Sequence, residues 1–149
     1  GAAGAVGVAD LGSFLRGAEQ LLSLSWTCGE LRSSRGAGAL RGLQRLDLSR
    51  NSIERVEGLA CCTQLEHLDL GHNRIASAAN VHTGLAQLRT LVLCHNRLDA
   101  APDLDRLLSL QALDLTANLL EEEALPLLAR LPCLETLYLH DNPLARREG

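Results

Sequence analysis

An eleven-residue pattern, L-x-x-L-x-L-x-x-N-x-[I/L], runs through this chain five times and leaves it few ways to fold. It reads "LQRLDLSRNSI" from Leu43, "LEHLDLGHNRI" from Leu65, "LRTLVLCHNRL" from Leu88, "LQALDLTANLL" from Leu110 and "LETLYLHDNPL" from Leu134. The starts lie 22, 23, 22 and 24 residues apart. A unit this short cannot bury an apolar face by itself, so a near-constant period demands that neighbouring units stack. A degenerate copy, "LLSLSWTCGEL" from Leu21, keeps Leu24, Trp26 and Leu31 in register but has Gly29 in place of the asparagine. End repeats tolerate such departures because one side of them has no neighbouring repeat.

The periods inside the unit predict its local structure. In x-L-x-L-x the leucines point one way and the intervening residues the other, which makes a short strand. Stacked units then build a parallel sheet. After each asparagine the apolar spacing becomes three, as in Ile53, Val56, Leu59, Cys62 and Leu65, and again in Leu98, Ala101, Leu104, Leu107 and Leu110. That spacing suits 3₁₀ turns or extended chain. "EEEALPLLARL" (Glu121 to Leu131) is the exception and predicts a short helix, with acidic residues at its start and Pro126 limiting its regularity. The expected fold is an α/β solenoid: a curved stack with a parallel sheet on its concave face and mostly 3₁₀ or extended segments on its convex face. A core of 35 leucines, with one Phe, one Trp and one Tyr in the whole chain, suits such layering.

This motif resembles the leucine-rich repeat family, and its 22-residue period resembles the intracellular subfamily typified by a protein phosphatase-1 regulatory subunit. "VHTGLAQLRTL" (Val81 to Leu91), "SLQALDLTANLLEEE" (Ser109 to Glu123) and "LPCLETLYLHDNPL" (Leu131 to Leu144) are similar to the repeats of nischarin-type endosomal scaffolds. The resemblance implies a non-enzymatic protein–protein interaction module that works without cofactors. It also implies a place in signalling scaffolds. Two alternatives stay open: a regulatory subunit that docks on a phosphatase or kinase, and a structural component of a ciliary or cytoskeletal assembly.

The expected organisation is a capping helix within residues 1–20, where Leu11, Phe14, Leu15 and Ala18 have helical spacing. A repeat domain over 21–149 follows. "RSSRGAGA" (Arg32 to Ala39) is expected to be a flexible outer loop. In this subfamily "N-P-L" (Asn142 to Leu144) introduces a C-terminal cap, so the sequence predicts that most of that cap is missing here. Asn51, Asn73, Asn96, Asn118 and Asn142 are expected to form a structural ladder whose amides bond backbone groups that the tight curve leaves without partners.

The variable strand residues fall into columns on the inner face. Asp47, Asp69, Val92, Asp114 and Tyr138 make the central one, flanked by Arg45, His67, Thr90, Ala112 and Thr136. On the other side lie Ser49, Gly71, Cys94, Thr116 and His140. An ionic flank, a milder centre and one aromatic anchor predict a protein-binding surface across Arg45, Asp47, His67, Asp69, Thr90, Val92, Asp114, Tyr138 and His140. Sharper chemistries fare worse. His72, His95, Cys94, His67 and Asp69 have metal-ligand character, but alternating side-chain directions oppose their convergence. Asp47 beside Asp69 has no enclosing cleft for acid–base work, and no nucleophile elbow accompanies the Ser, His and Asp residues. Neither a catalytic nor a metal role is therefore expected.

A net charge of −4 gives a nucleic-acid partner no electrostatic support. No apolar run approaches the ~20 residues that span a bilayer, so no direct membrane insertion is expected. Cys28, Cys61, Cys62, Cys94 and Cys133 are scattered and odd in number, which favours a reducing compartment. The expected location is cytoplasmic, with any endosomal association carried by regions outside this chain.

Overall fold

The structure is a computed structural model that describes residues 11–144. Six three-residue strands pair in chain order into one parallel sheet: β1 (Ser23–Ser25), β2 (Arg45–Asp47), β3 (His67–Asp69), β4 (Thr90–Val92), β5 (Ala112–Asp114) and β6 (Thr136–Tyr138). The register places Leu24, Leu46, Leu68, Leu91, Leu113 and Leu137 in one row. Hydrogen bonding continues past the strands: Leu48 N–H donates to Asp69 O at 2.9 Å and Arg50 N–H to Gly71 O at 2.9 Å. Each later rung repeats this, so the sheet is longer than its regular strands.

The core lies between the sheet and the outer arc. Leu65, Leu68 and Leu70 supply it from the strand side, and Ile53, Val56, Leu59 and Cys62 from the arc. Each fully buried leucine contributes about 2 kcal/mol. The three-residue spacing therefore does place every third residue inward. Ala101 is the one half-buried member of the two runs. Between β5 and β6 the expected helix forms as a 3₁₀ turn (Glu122–Ala124) running into α1 (Leu125–Leu128), with Pro126 at its first turn, where a missing N–H costs nothing.

Two expectations about the N-terminal third change. Residues 1–10 of the expected capping helix lie outside the described residues, and residues 11–20 form consecutive turns instead of a helix. Leu15 N–H does reach Leu11 O at 3.2 Å, one helical turn, but Gly17 at φ 80° takes the chain out of the helical region. Leu11 and Leu15 are nevertheless buried against the first repeat, and Phe14 meets Trp26 edge-on at 5.4 Å between ring centres. The expected flexible loop at 32–39 is instead built into the stack. Ser34 is fully buried, its hydroxyl donating to Glu57 O at 2.7 Å and accepting from Glu57 N–H at 2.8 Å. Ser33, Arg55 and Ser77 add a narrow outer ladder of parallel bridges.

Candidate functional site

The asparagine ladder sets the spacing of everything on the sheet face. The Asn73 amide donates to Leu48 O at 3.1 Å, Leu70 O at 3.0 Å and Gly71 O at 3.2 Å, and its oxygen accepts from Ile53 N–H at 2.9 Å. Asn51, Asn96 and Asn118 repeat the set one rung at a time, and Asn142 does so from a less buried position. Each side chain thus ties its own turn to the rung before it. The residue before each asparagine, or before Gly29 in the first repeat, is left-handed: Cys28, Arg50, His72, His95, Ala117 and Asp141 all have φ between 53° and 57°. Counting along the repeats places Arg50, His72, His95, Ala117 and Asp141 in one column, but its left-handed backbone is not legible in the sequence, because these residue types share no preference for that conformation.

The strand residues between the leucines then stand in register on the open face. Arg45 is beside His67, and His67 beside Thr90; Asp47 is beside Asp69, Asp69 beside Val92, Val92 beside Asp114, and Asp114 beside Tyr138. The first four rungs, β1 to β4, are hollowed into an open trough of about 380 Å³, lined by Ser23, Arg45, Asp47, His67, Asp69 and Val92 among others. Its floor side chains are mostly half-buried, as expected on the inside of a curve. Tyr138 is 48% exposed at the far end, and His140 is exposed beyond it.

The aspartates have a role that the pattern did not disclose. The Asp47 carboxylate accepts from Ser49 N–H at 2.9 Å, Asp69 from Gly71 N–H at 2.8 Å and Asp114 from Thr116 N–H at 2.9 Å. One oxygen of each therefore closes the turn after its strand. The recurrence of Asp in "LDL" was the available signal. Gly71 belongs to the same arrangement, since a Cβ there would lie 2.9 Å from the Cys94 sulfur and 3.1 Å from the Asp69 carboxylate. Burial pushes the Asp69 carboxyl above its ordinary value, with Asp47 and Asp114 adding to the rise and the Gly71 N–H and His72 opposing it. Burial likewise raises the Cys94 thiol, helped by Asp114 and Asp69.

The candidate metal cluster does not assemble. His72 and His95 lie flat on one another, ring centres 4.2 Å apart and planes 11° from parallel, so their nitrogens do not converge on a point. Among the described residues, no three His, Cys, Asp or Glu side chains are placed to hold a metal ion. The described cysteines are all thiols; Cys62 is buried and its thiol is pushed up to about 11 by burial and by Cys61 beside it. No helix among the described residues is long and apolar enough to cross a membrane.

Comparison with known proteins agrees with this geometry. Residues 41–81 match the family model described as Leucine Rich repeats (2 copies). The chain is 37% identical over 107 residues to human Serine/threonine-protein kinase 11-interacting protein, which covers 70% of this chain and 10% of that protein. It is 39% identical over 113 residues to Transforming growth factor beta activator LRRC32 of Mus musculus, covering 70% of this chain and 17% of that one. It thus spans between a tenth and a fifth of the length of these relatives. Among solved structures, a leucine-rich repeat protein of Leptospira interrogans superposes with a TM-score of 0.75 at 28% identity, over 90% of this chain and 35% of its own. The functional domain of InlJ from Listeria monocytogenes gives 0.69 at 22% identity, over 83% and 26%, a likeness of fold alone. With its motif, its asparagine ladder, its parallel sheet and these matches in agreement, the chain is a leucine-rich repeat protein.

Proposed function

We propose that this chain is a non-enzymatic protein-binding module whose partner lies across the hollow face of the sheet. One observation carries the reading: the leucines and asparagines repeat from rung to rung, while the residues facing the trough change from Arg45 and Asp47 to His67 and Asp69, then to Thr90 and Val92. A surface that is fixed in backbone and varied in side chain presents a specific pattern. Here it combines charged flanks, a mild centre and an exposed tyrosine, the mixture that protein interfaces favour. The trough is open along its length, unlike the concave pockets that enclose small molecules. The setting we propose is a cytoplasmic signalling scaffold of the kind that the nischarin-like stretches imply.

A second reading, docking on a protein kinase, is favoured by the relative that is named as interacting with serine/threonine-protein kinase 11. Affinity capture with the wild type and with an Arg45→Glu, Tyr138→Ala variant tests the first reading. Both changes leave the aspartate-closed turns intact. The expected result is selective loss of partners from the variant, and identical partner sets would sink the trough as the binding face. Direct binding to the purified kinase, weakened by the same variant, is the result expected of the second reading.

A further inference from the structure

The rim at the C-terminal end of β2, β3 and β4 carries five exposed basic or protonatable side chains that the trough does not use. Arg50, His72 and His95 hold the left-handed position of three successive rungs. Their backbone N–H groups donate to Gly71 O, Cys94 O and Thr116 O at 2.9, 2.9 and 2.8 Å, so the side chains project from a fixed row. Arg74 and Arg97 follow one residue after the buried Asn73 and Asn96, with their own N–H groups bonded to Ile53 O and Ile75 O. Among the described residues, the one ion pair joins Arg89 to Glu66 at 4.0 Å, before the strands and away from this rim. The row then changes character: Ala117 and Leu119 take the equivalent positions in the next rung, and Asp141 and Pro143 those in the last.

We propose that Arg50, His72, Arg74, His95 and Arg97 form a docking strip for an acidic segment of a protein partner. Guanidinium groups bind carboxylates through paired, charge-assisted hydrogen bonds, and three of them here have no carboxylate partner among the described residues. The charge around the strip limits what fits it. Asp69 acts on His72 from the sheet, and Asp141 ends its row. Glu54 and Asp99 stand on the outer side, two residues beyond the positions of Ser52 and Arg97. A short acidic stretch is held on the rim and repelled from the trough. A long polyanion tracking past the strip meets repulsion at the acidic residues beyond it, on a chain whose net charge is already −4.

The stacked histidines make the docking pH-dependent. Two imidazolium rings 4.2 Å apart repel each other unless an anion lies against them. Burial, His95 and Arg50 hold His72 below the ordinary histidine value, with Asp69 pulling the other way. An arriving carboxylate favours the protonated ring, so protonation and binding strengthen each other as pH falls through the histidine range.

Fluorescence anisotropy on the full chain, with a labelled oligo-aspartate peptide as probe, tests the strip. The expected result is saturable binding that weakens about fivefold in Arg74→Ser, Arg97→Ser, the loss of two exposed ion pairs. Arg106→Ser, Arg130→Ser, which removes the same charge from the outer arc, should bind as the wild type does. Wild-type affinity should rise between about pH 7.5 and about pH 5.5, and His72→Asn, His95→Asn should flatten that rise. Asparagine tolerates the left-handed backbone, so this variant should keep the wild-type circular dichroism spectrum. Equal losses from the two arginine pairs would reveal diffuse attraction and overturn the proposal. So would absence of wild-type binding, or displacement of the peptide by a lower concentration of a single-stranded oligonucleotide of matched length.

Discussion

Single side chains in this protein act on two rungs at once. The Asn96 amide donates to Leu70 O, Leu93 O and Cys94 O and accepts from Ile75 N–H, so replacing it leaves the Ile75 N–H without its partner and takes one of two donors from each of three carbonyls. Asn96→Leu should therefore cost about 1–3 kcal/mol in urea unfolding, and Asn142→Leu clearly less, because water can reach the groups around Asn142. The ladder was legible in the sequence because every full copy keeps its asparagine. The turn-closing role of the aspartates was not, since an Asp between two leucines also reads as an ordinary outward residue. Asp69 gives this role a pH signature. Its carboxyl is raised in the folded state, so its contribution to stability is complete below the unfolded value of 3.8 and is lost as pH rises through the folded value. Asp69→Asn keeps an acceptor for Gly71 N–H and cannot ionise. It should unfold at a higher temperature than the wild type at neutral pH, an advantage that disappears below about pH 3.8.

At the scale of the element, each rung depends on its neighbours for burial. Leu91, in the fourth of six strands, is fully buried; Leu137, its counterpart in β6, is 36% exposed. Leu91→Ala should cost about 3 kcal/mol and Leu137→Ala about 1 kcal/mol in denaturant unfolding, although the substitution and the motif position are the same. Equal losses would mean that the last rung is packed as tightly as the interior. The strands and the outer arc were legible from periods of two and three. The N-terminal turns were not, because Leu11, Phe14, Leu15 and Ala18 keep helical spacing while Gly17 breaks the helix with one positive φ. Residues 32–39 misled through composition: a run rich in Ser, Gly and Ala looks loose, yet the Ser34 hydroxyl replaces a backbone partner for both the N–H and the C=O of Glu57.

Across the whole molecule, stability passes from rung to rung along a line, with no central nucleus shared by all six strands. Hydrogen exchange should show this as a gradient, with the amides of Leu70 and Leu93 the slowest and those around β1 and β6 faster. Uniform protection along the chain would contradict the nearest-neighbour picture. The same linear arrangement separates charge into lanes: aspartates along the trough and arginines with histidines along the rim of β2 to β4.

The sequence alone determined the repeat, the parallel register and which side chains face inward, because those follow from local period and from the need of short units to stack. It also assigned the variable columns of the sheet face by counting. Tertiary structure decided what those columns do. The stacking of His72 on His95 joins residues 23 apart in the chain, while the left-handed row and the turns closed by the aspartates are local shapes that every rung repeats in three dimensions. A one-dimensional pattern specifies which residues are neighbours across the stack. It does not specify how their side chains share the space between rungs, which is set by hydrogen bonding and packing in three dimensions.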